Sequence, residues 1–118
     1  MTRSRILRWL IVVAALYGGL ALLARLLAAR ALYHPEMTSG RAPEGMQKLR
    51  GPDGSEIAVL HLSNPRAHHT LWLFHGNAED LGDLEPGLRT LRDAGFAVFA
   101  FGYPGYGHSS GRPSEAGI

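Results

Sequence analysis

No cysteine occurs among the 118 residues. Its absence excludes a disulfide framework, a thiolate nucleophile and a thiolate-ligated metal. Acids are missing from positions 1–30, where Arg3, Arg5, Arg8, Arg25 and Arg30 are the only charges, whereas the remainder carries seven basic and ten acidic residues. Basic character is therefore confined to the flanks of an apolar run, and with no aromatic-interleaved basic face elsewhere, nucleic acid is not an expected partner. Repeats and low-complexity segments are lacking too. The histidines form no metal set: His68 and His69 are adjacent and point to opposite sides of an extended chain, and His61 and His108 lack partners at helical spacing. No metal and no cofactor is expected. Asp53, Glu79, Asp80, Asp83 and Glu85 read as solvated turn and helix-start carboxylates.

The apolar run itself extends from Trp9 to Ala24 without a charge, and Leu10 to Ala29 makes twenty residues if Arg25 is tolerated. At 1.5 Å per residue, twenty residues reach the ~30 Å hydrocarbon thickness of a bilayer. Arg25 can snorkel to the headgroups, and Trp9 sits where an interfacial aromatic is expected. Residues 1–31 are thus expected to be a single-pass membrane anchor with a lipid bilayer as partner. Three arginines before the run against two after it favour a cytoplasmic amino terminus, with the rest of the chain on the opposite side. A cleaved signal peptide is the competing reading, because Ala29-Arg30-Ala31 has a small-x-small pattern, but the run exceeds the usual apolar region of about 7 to 15 residues. A buried core helix is a third.

Residues 32–45, with Pro35, Gly40, Pro43 and Gly45, read as a connector leading away from the membrane. Met46–Arg50 and Glu56–Leu62 then read as an antiparallel hairpin at a sheet edge, joined by the turn Gly51-Pro52-Asp53-Gly54. Thr70–Phe74 and Phe96–Phe101 are apolar almost throughout, as fits strands covered on both faces. Between them the spacing of Leu84, Leu88 and Leu91 predicts a helix over about Asp83–Ala94, with Pro86 in its first turn and Gly95 as its C-cap. Strand, helix and strand in this order predict an α/β class with a parallel pair whose loops gather at the carboxyl ends of the strands.

Two loops occupy that edge. His75-Gly76-Asn77 follows the first apolar strand directly, and its main-chain N–H groups, above all that of Asn77, suit an oxyanion in acyl transfer. Gly76 would let the chain turn tightly, and His75 would brace the loop by hydrogen bonding. An ordinary strand-to-helix turn is the alternative reading of the same residues. After the second apolar strand, Gly107-His108-Ser109-Ser110-Gly111 satisfies the G-x-S-x-G pattern of a nucleophile elbow. Its setting does not: Gly102, Pro104, Gly105 and Gly107 separate Ser109 from the strand, and Pro113 follows almost at once. Ser109 is not expected to be a nucleophile. A dinucleotide-binding domain shares the strand-turn-helix-strand plan, but Gly105-x-Gly107-x-x-Ser110 lacks the third glycine and lies after the wrong strand.

Together, LFHGNAED and YPGYGHSSGRPSEAG resemble the amino-terminal half of an α/β-hydrolase domain, and within that superfamily the membrane-anchored, serine-aminopeptidase-like members. The resemblance covers about residues 46–118. It implies a serine hydrolase cleaving ester, thioester or amide bonds in a small-molecule or acyl substrate through a Ser-His-Asp triad. It also implies that His75, Gly76 and Asn77 form the oxyanion-hole turn, and that Tyr103, Pro104, Gly105, Tyr106 and Gly107 form a loop beside the active site. Gly102 departs from the pattern, because the family commonly has an acid there, so the loop is expected to lack one anchoring hydrogen bond. With fewer than ninety residues after the anchor, against roughly 200 for such enzymes, the chain reads as the amino-terminal part of a longer protein. The triad is then expected after Ile118, and the chain alone to be inactive. The rival reading is a non-catalytic, membrane-tethered binding protein of the same descent. The sequence carries no signal of oligomeric state.

Overall fold

The computed structural model describes residues 3–117, without the side chains of Ala29 and Ala116. Met1 and Ile118, the outer ends of the expected anchor and domain, lie outside the described residues. The chain divides into two compact units, one ending at Leu32 and one beginning at Tyr33.

The first unit is a single helix, α1 (Arg3–Leu32). Its stretch Arg3–Ala28 is long and apolar enough to cross a membrane, with a mean hydropathy of 2.2 over its most apolar 18 residues. Trp9, Leu16, Tyr17 and Leu20 are all more than 60% exposed, so no protein core in this unit accounts for their apolarity.

The second unit is a four-stranded sheet with one helix. Strands β1 (Gln47–Arg50) and β2 (Glu56–Leu62) form the expected antiparallel hairpin. Its turn is closed by Gly54 N–H donating to Gly51 O at 3.1 Å. Strands β3 (Thr70–Phe74) and β4 (Ala97–Phe101) pair in parallel, β2 pairs antiparallel with β4, and the order is β1-β2-β4-β3. The connection from β3 to β4 is α2 (Leu81–Asp93).

Helix α2 begins two residues before the sequence expectation because Asp80, not a later residue, caps it. The Asp80 carboxylate accepts from Asp83 N–H at 3.0 Å, and Asp83 accepts from Asp80 N–H at 3.0 Å, a reciprocal capping box. Pro86 consequently lies inside the helix and not in its first turn. Proline there has no N–H for the carbonyl four residues earlier, Gly82. The Arg41 guanidinium donates to that carbonyl instead. At the other end Gly95, at φ 108°, donates to Arg92 O while Phe96 N–H donates to Leu91 O, which closes the helix in a Schellman arrangement.

Leu81 and Leu88 from α2 pack on Ala58, Leu60 and Leu62 of β2 and Val98 and Ala100 of β4, with Leu84 and Leu91 at the margin. The opposite face of the sheet is aromatic. Trp72 stacks on Phe99 at 4.7 Å, and Phe74 meets Phe101 edge-on at 5.3 Å. Strand β3 was expected to be covered on both faces. Among the described residues it is an edge strand whose Trp72 and Phe74 remain 62% and 60% exposed, since α2 covers only the other side.

Residues 33–45 do not run free of this unit. Ser39 Oγ and Gly40 N–H both donate to the Asp80 carboxylate, at 3.1 and 2.8 Å, and Ser39 N–H donates to Asp83 at 3.2 Å. Further along, Glu44 N–H donates to Glu85 at 3.2 Å and Arg89 donates to Glu44 O at 3.1 Å. The segment is strapped across the amino-terminal half of α2, and Gly82 permits the approach: a Cβ there would lie 2.8 Å from Ser39 Oγ. Asp80, read as a solvated carboxylate, is instead 2% exposed and holds this junction.

Candidate active site

The parallel pairing of β3 with β4 sets residues 75–77 beside residues 102–106, because both segments leave the sheet at the same end. His75 joins them. Tyr103 N–H donates to His75 Nε2 at 2.9 Å, which leaves the ring proton on Nδ1, within 2.7 Å of Gly76 O. The imidazole is 5% exposed and stacks between Tyr103 and Tyr106, at 4.5 and 4.9 Å. Both ring nitrogens are thus occupied in holding the two loops together.

Asn77 is fixed through its carbonyl, which accepts from the Tyr106 hydroxyl at 3.0 Å and from His34 N–H at 2.9 Å. Burial pushes the Tyr106 phenol up from its ordinary pKa, consistent with its role as a donor. Gly76 N–H donates to the Glu79 carboxylate at 2.9 Å. Gly76 does not adopt a positive φ, so tight turning is not what requires glycine here. A Cβ at this position would lie 3.0 Å from the carboxylate of Glu79, the end of an exposed side chain that can move aside, so nothing close by demands glycine. In the second loop the requirement is conformational, with Gly105 at φ 82° and the Pro113 nitrogen 2.9 Å from where its Cβ would stand.

Between the loops lies a cavity of about 180 Å³. His75, Asn77, Tyr103, Pro104 and Tyr106 line it, so five of the residues singled out from sequence converge on one space. Gly76, Gly105 and Gly107 shape the backbone without lining it. Tyr33, Pro113, Ser114 and Gly117 also line it and were not singled out. Tyr33 carried no local signal, since it reaches the site through the strap described above.

Ser109 stands elsewhere. Its hydroxyl donates to Gly102 O at 2.8 Å and accepts from Ala58 N–H at 3.0 Å, in a buried setting. Gly102 N–H donates to Ala58 O at 2.8 Å, Ser110 N–H to Glu56 O at 2.8 Å, and Glu56 N–H to Ser110 Oγ at 2.8 Å. Residues 102–110 therefore continue the ladder along the start of β2, with two serine side chains replacing main-chain partners. The expected loss of an anchoring hydrogen bond at Gly102 is made good by Ser109, whose Oγ would crowd a Cβ at Gly102 to 3.0 Å.

No cluster of three or more histidine or carboxylate groups suited to a metal occurs among the described residues.

No family model matches the chain. Individual proteins do. It is 39% identical over 69 residues to "Alpha/beta hydrolase domain-containing protein 17B" of Xenopus tropicalis, covering 55% of this chain and 23% of that protein. Over 61 residues it is 41% identical to "Protein bem46" of Schizosaccharomyces pombe, covering 51% and 20%. With "Alpha/beta hydrolase domain-containing protein aho-3" of Caenorhabditis elegans it shares 45% over 58 residues, covering 46% and 17%. The chain spans about a quarter or less of the length of these curated relatives. The similarity and the mixed sheet agree: residues 33–117 carry the amino-terminal portion of an α/β-hydrolase fold, behind a helix able to cross a membrane.

Proposed function

We propose that this α/β-hydrolase portion is the oxyanion side of a membrane-anchored serine hydrolase acting on ester, thioester or amide bonds. The observation that carries the reading is the convergence of the His75-Gly76-Asn77 turn and the Tyr103–Gly107 loop on one cavity at the carboxyl ends of two parallel strands. In that role the Asn77 main-chain N–H donates to the oxyanion as it forms. Tyr106 and His34 hold its peptide in place through the carbonyl, and His75 ties the turn to the neighbouring loop. A donor fixed before reaction needs no reorganisation when charge develops, which is worth about 3 to 4 kcal/mol per donor in acyl transfer. Nucleophile, base and acid are contributed after Ile118. Helix α1 anchors the domain in the bilayer with its amino terminus in the cytoplasm.

The test uses the protein from its own gene, in native membranes, treated with a serine-reactive fluorophosphonate. Covalent labelling that persists in Ser109→Ala is expected, and absence of labelling would sink the hydrolase reading. Single cysteines at Ser4 and Asp53, introduced into a protein with any other cysteine replaced by serine, report topology with an impermeant maleimide: from outside the cell, only position 53 should react.

A second reading, a tethered binding protein without catalysis, is favoured by the commitment of both serines of the G-x-S-x-G pattern to β2. It predicts ligand binding with no labelling.

A further inference from the structure

Ser109, which the G-x-S-x-G pattern left without a chemical role, is joined to the His75 loop by hydrogen bonds that all donate in one direction. Ala58 N–H donates to Ser109 Oγ at 3.0 Å, and the Ser109 hydroxyl donates to Gly102 O at 2.8 Å. Gly102 O shares its peptide with Tyr103 N–H, which donates to His75 Nε2 at 2.9 Å. Across the ring, Nδ1–H donates to Gly76 O at 2.7 Å, and that carbonyl shares its peptide with the Asn77 N–H. We propose that Ser109 and His75 are positioning residues for the oxyanion donor, aligned in a relay that ends at the Asn77 N–H; this rests on the hydrolase reading above.

The direction is fixed at each step. Tyr103 N–H only donates and Gly76 O only accepts, so the ring between them carries its proton on Nδ1 and a bare Nε2. In a trans peptide C=O and N–H point opposite ways, so the imidazole behind Gly76 O aims the Asn77 N–H away from itself. Tyr106 and His34 act one peptide later, on the Asn77 carbonyl. Glu79 N–H also reaches Gly76 O, but at 3.4 Å it is the longer bond. His75 is thus the side chain that holds the donor's own peptide. Hydrogen bonds chained in one sense polarise one another by about 10 to 30% each, most effectively where the dielectric is low. Ala58, Gly102, Ser109 and His75 are all buried. Negative charge developing beyond the Asn77 N–H strengthens every link, because each donor points toward it.

The experiment measures the rate of fluorophosphonate labelling of the protein from its own gene, in native membranes, with two amides in place of the imidazole. His75→Asn puts an N–H near the Nδ1 position and keeps the bond to Gly76 O, whereas His75→Gln puts a carbonyl near the Nε2 position and keeps the bond from Tyr103 N–H. Ten to thirty per cent of a donor worth about 100- to 1,000-fold is about two- to eightfold in rate, the slowing expected in His75→Asn. His75→Gln, which also loses the aim of the peptide, should be roughly threefold or more slower than His75→Asn. Equal rates, or the reverse order that a simple tie between the loops would give, overturn the proposal. If both variants misfold, nitrogen-15 spectra of the unsubstituted protein in nanodiscs decide: His75 should show a proton on Nδ1 and none on Nε2, and the opposite tautomer overturns the relay. In Ser109→Ala the Nδ1 proton signal should move upfield, and an unmoved signal overturns the Ser109 link. Absence of labelling in the unsubstituted protein removes the hydrolase and this role with it, whereas labelling with the wrong order of rates removes the relay alone.

Discussion

Ser109→Ala discriminates a structural serine from a nucleophile, and its cost can be worked from four atoms. The Ser109 hydroxyl accepts from Ala58 N–H at 3.0 Å and donates to Gly102 O at 2.8 Å. Ala58 is 2% exposed and Gly102 is buried, so water does not replace the lost hydroxyl without local opening. A buried main-chain group left without its partner costs about 1 to 3 kcal/mol, and two such groups, partly relaxed, give about 2 to 4 kcal/mol. Against a total stability of roughly 5 to 15 kcal/mol for a domain, that is a large share. Hydrogen exchange of the Ala58 amide, followed on the full chain in nanodiscs, should accelerate between thirtyfold and nearly a thousandfold, at tenfold per 1.4 kcal/mol. Ser110→Ala is the control: its hydroxyl accepts from Glu56 N–H on the exposed rim, where water can substitute, and its effect should stay under about 1 kcal/mol. Exchange at Ala58 unchanged within threefold would refute the bridging role. Loss of fluorophosphonate labelling in Ser109→Ala with normal exchange would make Ser109 the nucleophile.

Gly82→Ala should detach the strap, because its Cβ would meet Ser39 Oγ and the Arg41 main chain; amides 39–41 should lose protection, with a cost of about 1 to 3 kcal/mol seen by denaturant titration. Acid should detach it as well. Burial pushes Asp83 upward, but the Ser39 and Asp80 amides outweigh it and hold the carboxyl below its ordinary range, while the Arg89 guanidinium holds Glu85 low. Groups depressed by folding stabilise fully above their unfolded values and lose that contribution as pH falls through the folded ones. Protection of residues 39–44 should therefore be constant from pH 7 to about 5 and decline below about 4, and a decline already complete at pH 6 would contradict this assignment. Residues 32–118 made without α1 should aggregate through the β3 edge and its exposed Trp72 and Phe74, as seen by light scattering, and Trp72→Lys should reduce it.

The sheet was readable from sequence because its signals are local. Apolar runs bounded by proline and glycine gave β2 and β3 their observed limits, and the leucine spacing gave α2 its buried face. Half of the site was readable for the same reason, since His75-Gly76-Asn77 and Tyr103–Gly107 each follow directly on a strand. What escaped depends on contacts between distant positions. Asp80 looks like any carboxylate at a helix start until Ser39 and Gly40, some forty residues earlier, bury it. Pro86 looks like a first-turn proline until the cap at Asp80 is known, and its orphaned carbonyl explains why an arginine at position 41 is useful. Tyr33 could not be placed in the cavity without that strap. The same distinction bears on Gly107–Gly111. A nucleophile elbow needs a serine whose hydroxyl is presented outward at a strand-to-helix turn, and a pattern of five residues does not encode which way the hydroxyl faces. Here the facing is decided by Ala58 and Gly102, which lie outside the pattern and hold Ser109 Oγ in a two-way main-chain bridge. The motif's two glycines then serve the loop's path, with φ of 51° at Gly107 and 91° at Gly111 returning the chain to β2.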